Sequence, residues 1–154
     1  MNIGKVAAGT ENGILYVGLC EPPGDPNGSG GNSTFKSHHT VSDDGITALS
    51  FSPDGTMLAI GSQDSVIYVM QDNLDDDGDL IKLTGHTAGI SHIDWSSDNS
   101  SLRSNSVDHE LLFWKIISVN DKGELGFQTN FEMLYNTILL AKTEIDLFQT
   151  HLQN

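Results

Sequence analysis

A chain that repeats itself every 44 residues must build one small unit several times and stack the copies. Residues 46–70 (ITALSFSPDGTMLAIGSQDSVIYVM) align without a gap on residues 90–114 (ISHIDWSSDNSSLRSNSVDHELLFW). Ile46, Ser52, Asp54, Leu58, Ser62 and Asp64 meet Ile90, Ser96, Asp98, Leu102, Ser106 and Asp108. Apolar character persists where identity is lost, as at Phe51 and Trp95 or Tyr68 and Leu112. A partial third copy, VAAGTENGILYV at 6–17, aligns with LAIGSQDSVIYV at 58–69. A repeat this short cannot bury its own apolar faces, so its neighbours must cover them.

Each copy reads as short strands and tight turns. In the last, ISHIDW is a strand, SSDNS a turn, LRSNS a second strand, VDH a turn and ELLFW a third strand. LIKLT at 80–84 is a fourth, outer strand. Apolar residues on both faces place these sheets between other sheets. Four strands at a period of about 40–45 residues are the signature of a propeller blade. The predicted fold is all-β, a partial β-propeller of about two to two and a half blades. Residues 1–19 supply part of one blade, 38–84 and 85–116 a blade each. CEPPGDPNGSGGNSTFKS at 20–37 reads as a flexible insertion.

Gly85-His86, the SPDG turn at 52–55, SQD and SVD before the third strands, and Trp114 resemble WD repeats. The resemblance implies a buried hydrogen-bonded network of His86, Ser104, Asp108 and Trp114, in which Asp108 fixes the His86 tautomer and holds the turn. The middle copy has Ile60 and Met70 in place of the Ser and Trp, so Asp64 and His39 would lack the full network. Further residues narrow the resemblance. His92-Ile93-Asp94-Trp95, then Ser104-Asn105-Ser106-Val107-Asp108 with Glu110, Leu112 and Trp114, are similar to the C-terminal propeller of echinoderm microtubule-associated protein-like proteins. That likeness covers about residues 5–19 and 38–116. It implies tubulin or microtubules as partners and a cytoplasmic, cytoskeletal location. A WD scaffold for other protein partners is the alternative.

Charge limits the partners. Twenty-one acidic residues face seven basic ones, giving −14. Such a surface repels phosphate backbones and anionic lipid heads, so neither nucleic acid nor membrane is an expected partner. No apolar run is long enough to span a bilayer. Cys20 is the only cysteine, so an internal disulfide is ruled out.

Chemistry finds no foothold. His92 and Asp94 share a strand face but lack a third metal ligand at a recognisable spacing. DNLDDDGDLIKLT at 72–84 mimics a calcium loop, but its twelfth position is Thr84 where a bidentate Glu is required. No phosphate loop, nucleophile elbow, HExxH or CxxC is present. No catalytic, cofactor-binding or metal-binding residue is assigned, no cofactor is expected, and the chain is read as non-enzymatic.

After Ile116 the repeat fails. Phe127, Phe131, Leu134, Ile138, Ala141, Ile145, Phe148 and Leu152 follow alternating spacings of four and three, which predicts an amphipathic helix within a divergent tail at 117–154. This tail either docks on an open blade edge or a partner, or is foreign to the repeat family. With so few blades, the chain is expected to be part of a larger propeller and to expose apolar blade faces.

Overall fold

The computed structural model describes residues 4–20, 33–71, 80–118 and 125–129. These form eleven strands in three antiparallel sheets, with no helix among the described residues. Blade A contains β1 (Gly4–Gly9), β2 (Ile14–Cys20) and β3 (Ser33–Thr40). Blade B contains β4 (Ile46–Phe51), β5 (Met57–Ser62), β6 (Ile67–Gln71) and β7 (Ile81–Leu83), in that spatial order. Blade C contains β8 (Ile90–Trp95), β9 (Ser101–Ser106), β10 (Leu111–Ser118) and β11 (Leu125–Thr129). The all-β partial propeller read from the sequence is the observed fold.

Turn geometry repeats with the sequence. Gly13, Ser65 and His109 all adopt a left-handed backbone near φ 70°, and they are equivalent positions in the three blades. Gly55 and its counterpart Asn99 do the same, at φ 71° and 59°. A non-glycine residue tolerates this region only when surrounding bonds hold it there. Here Asp64, Asp98 and Asp108 each accept backbone amides two residues on, from Val66, Ser100 and Glu110. The Asx geometry therefore holds Ser65, Asn99 and His109 in place.

Two apolar layers lie between the blades. Leu15, Val17 and Val41 of blade A pack with Leu58, Ile60, Tyr68 and Met70 of blade B. Met57, Ala59, Ile67 and Val69 of blade B pack with Ile90, Ile93, Leu102, Leu112 and Trp114 of blade C. Every residue of β5 is buried, because blades cover both of its faces. Gly9 and Gly61 form matching sockets. A Cβ on Gly61 would meet Ile90 Cγ2 at 2.6 Å, and one on Gly9 would collide with Ile46. Polar bonds also cross the second interface: Trp95 Nε1 donates to Ser50 O (2.9 Å) and Thr47 Oγ1 to Ile90 O (2.5 Å).

Two segments differ from the sequence expectation. Strand β3 starts at Ser33, inside the stretch read as a flexible insertion, because Thr34 and Phe35 continue the pairing with Leu19 and Gly18 past a bulge. Phe127 was expected to begin the amphipathic helix. It lies instead on β11, opposite Ile116, and packs on the core between blades B and C. A strand of five residues shows only two or three apolar repeats, and Phe131 beyond it imitates helical spacing. The rest of the expected helix, 130–154, lies outside the described residues, as do residues 72–79 of the calcium-like stretch at 72–84.

Candidate functional site

The expected network sits between the blade C strands. Trp114 Nε1 donates to Ser104 Oγ (2.8 Å), and Ser104 Oγ lies 2.7 Å from His86 Nε2. Strand register explains the geometry: Ser104 on β9 pairs with Leu112 on β10, which puts Trp114 one residue pair along the same face. His86 enters from the loop after β7 and is buried. The Ser104 hydroxyl oxygen accepts from the indole and shares one hydrogen bond with Nε2, in which the donor is set by the imidazole tautomer.

Asp108 holds the β9–β10 turn, as expected, but makes no hydrogen bond to His86. Its oxygens accept from Thr87 N (3.2 Å), Thr87 Oγ1 (2.5 Å), Ser106 Oγ (2.5 Å) and Glu110 N (3.0 Å). The Ser106 hydroxyl, followed by Thr87, holds its carboxyl far below the usual range. The carboxylate nearest to His86 Nδ1 by ion-pair distance is Glu110, with Oε2 at 3.7 Å. Nδ1 is buried without a hydrogen-bond partner. Burial lowers the His86 pKa, opposed by Asp108 and Glu110. Ser104 therefore holds the ring through Nε2, and Asp108 closes the loop between Thr87 and the β9–β10 turn.

Blade B solves the same problem with other residues. Ser42, not His39, stands at the position equivalent to His86, four residues before the first strand of its blade. His39 lies on β3 opposite Leu15. Ser42 Oγ donates to Asp64 Oδ2 (2.7 Å), Ser62 Oγ donates to Ser42 Oγ (3.1 Å), and Tyr68 OH donates to Asp64 Oδ2 (2.6 Å). So Asp64 has a full set of partners without the His, Ser and Trp found in blade C. Burial opposes its ionisation, but the Tyr68 and Ser42 hydroxyls and the Val66 amide hold its carboxyl below the usual range. Burial and the Asp64 charge push the Tyr68 phenol up to about 12. Sequence reading missed Ser42 and Tyr68. Applying the repeat offset to His86 finds the first, and a hydroxyl-bearing aromatic opposite Leu112 in the alignment signals the second.

His86, Asp108 and Glu110 are a possible metal trio, with ligand atoms all within 4.8 Å of one another. The donor set does not suit a cation. Asp108 already accepts four hydrogen bonds, which occupy its oxygens. His92 and Asp94 are brought together with Arg103: His92 Nε2 lies 3.2 Å from Asp94 Oδ1, and Arg103 donates to Asp94 Oδ2 from Nε (3.1 Å) and NH2 (2.9 Å). Arg103 first, then His92, lowers the Asp94 carboxyl. This is an exposed ion-pair cluster on the blade C face.

Comparison with known proteins agrees with the blade architecture. The family pattern described as WD domain, G-beta repeat matches residues 32–69 and 78–115. The chain is 41% identical over 117 residues to echinoderm microtubule-associated protein-like 4 of Xenopus laevis, covering 73% of this chain and 11% of that protein. It is 42% identical over 113 residues to the Homo sapiens protein of the same name, covering 72% and 10%. It is 40% identical over 107 residues to echinoderm microtubule-associated protein-like 2 of Mus musculus, covering 67% and 16%. The chain thus spans only about a tenth to a sixth of the length of these relatives. With its repeats, its stacked antiparallel sheets and these matches, the chain belongs to the WD-repeat proteins and is similar to the echinoderm microtubule-associated protein-like proteins.

Proposed function

We propose that this chain is a non-catalytic protein-interaction module, a segment of a WD-repeat protein that associates with microtubules or tubulin in the cytoplasmic cytoskeleton. The observation carrying this reading is the 40–42% identity, over two thirds or more of the chain, to proteins named as microtubule-associated. The arrangement of polar groups supports it. The buried hydroxyl, imidazole and carboxylate groups of blades B and C are bonded mainly to one another, as structural latches. The His86, Ser104, Asp108 and Trp114 set serves blade stability, holding the loop before β8 against the β9–β10 hairpin.

Microtubule co-sedimentation at low and high salt tests the proposal. A chain of charge −14 gains nothing from non-specific attraction to an acidic surface. A specific contact therefore pellets the chain with microtubules at both salt concentrations. Retention in the supernatant at both overturns the microtubule reading and leaves a WD scaffold for another protein.

A further inference from the structure

His86 is held on one side only. Its Nε2 lies 2.7 Å from Ser104 Oγ, while Nδ1 is buried without a hydrogen-bond partner among the described residues. Its side chain is fully enclosed. A ring nitrogen so buried ordinarily has a partner, because desolvation without a bond is costly.

The groups around the ring are unlike on its two sides. Ser104 on β9 and Trp114 on β10 approach Nε2, and neither titrates near neutral pH. The charged groups that face the ring are Asp108, in the β9–β10 turn, and Glu110, just ahead of β10. Both carboxylates can only accept. Asp108 is committed to Thr87, Ser106 and the Glu110 amide. Glu110 Oε2 stands 3.7 Å from Nδ1, just beyond hydrogen-bonding reach, on a side chain that is 44% exposed. A neutral imidazole has one N–H for two nitrogens, and a protonated one has two. Acceptors at both nitrogens suit the protonated ring, while enclosure suits the neutral one.

We propose that His86 and Glu110 form a pH-sensitive clasp on the loop before β8. In mild acid the imidazole takes a second proton from solvent, and the Glu110 carboxylate closes on Nδ1–H. The ring is then bonded at both nitrogens, to β9 through Ser104 and to the start of β10 through Glu110. Thr87, Ala88 and Gly89 of the same loop already bond the hairpin, through Asp108, the Ser106 hydroxyl and the Val107 amide. Val107 is 67% exposed, so the clasp tightens a loop that lies beside the surface of the blade. Burial, the larger influence, holds the His86 pKa below 6.5, and the nearby carboxylates oppose it. The ring is therefore neutral at pH 7 and charges only below 6.5, as pH falls through its lower folded-state value.

An NMR titration of the whole chain tests this, with the His86 ring signal identified by its proximity to the Trp114 indole. Glu110→Gln keeps the shape of this half-exposed side chain and removes its charge. It is expected to lower the proton affinity of His86 at least about threefold. Glu110→Asp, which keeps the charge, loses less. Amide protection at Thr87, Ala88 and Gly89 should rise in the wild type as the ring charges, and should not rise in Glu110→Gln. A His86 titration unchanged by Glu110→Gln overturns the clasp. So does loop protection that stays level or falls as the ring charges, or a wild type that unfolds before the ring titrates.

Discussion

Trp114 and His86 are held through one atom: the Ser104 hydroxyl oxygen lies 2.8 Å from the indole nitrogen and 2.7 Å from the imidazole Nε2. The three residues come from β10, the loop before β8, and β9, so a single buried hydroxyl ties three segments of one blade together. Its removal strands two ring nitrogens in a site without solvent.

Ser104→Ala is therefore expected to destabilise the chain by about 2–4 kcal/mol, as each unsatisfied buried group costs about 1–3 kcal/mol. The urea unfolding midpoint measures this. Ser100→Ala, at an exposed turn serine bonded to Asp98, stays within about 0.5 kcal/mol of wild type. Equal effects at the two positions would remove Ser104 as the hub.

Tyr68→Phe tests the blade B latch. The lost bond is to an ionised carboxylate, so the cost at neutral pH is about 1.5–3 kcal/mol. Because the folded-state pKa of Asp64 is depressed, the stabilisation is present above its unfolded value and is lost as pH falls through the folded value. The gap between variant and wild type should close in acid. The Tyr68 pKa is raised, so its contribution is present below about 10 and disappears as pH rises towards about 12. Tyrosinate absorbance should show a late-titrating phenol in the wild type that is absent from Tyr68→Phe.

Gly61→Ala places a methyl group 2.6 Å from Ile90 Cγ2. The expected cost is about 1–3 kcal/mol from overpacking the B–C interface. Adding Ile90→Val to Gly61→Ala should recover part of it, and a double-mutant cycle reads the coupling. Gly55→Ala is the contrast. Nothing lies within 4 Å of the added Cβ, and φ is 71°, so its cost of about 1–2 kcal/mol comes from backbone strain and no partner substitution relieves it.

Zinc should not raise the thermal midpoint of the chain. His86, Asp108 and Glu110 lie close enough to suggest a site, but hydrogen bonds already fill the Asp108 oxygens. Thermal scans with zinc and with a chelator should superimpose. A zinc-dependent rise abolished by His86→Ala would reverse this reading.

Much of the fold was legible because a repeat exposes its own period. The pairing of residues 46–70 with 90–114 defines strands, turns and blades without any tertiary information, since the same local pattern is written twice. The residues of the blade C network and the chain Trp114–Ser104–His86 within it were legible through family resemblance, and the partners of Asp108 were not. That Asp108 bonds Thr87 while Glu110 comes nearest Nδ1 depends on how one loop crosses one hairpin, which local spacing does not encode. The blade B latch was hidden for a related reason. Ser42, Asp64 and Tyr68 satisfy the same hydrogen-bonding requirement with different side chains, so a motif search passes over them.

The sequence by itself determined that this chain is a stack of four-stranded units with acidic turns and apolar faces, because alternation and period follow directly from strand geometry. The tertiary structure alone decided which face each residue serves. Phe127 reads as the start of a helix until β10 offers it Ile116 and the blade core. Gly61 and Asn105 occupy the same place in the repeat, yet one is the floor of an interface and the other lies on an exposed face. The difference lies in what packs above each residue, and that is set by the order of the blades in space.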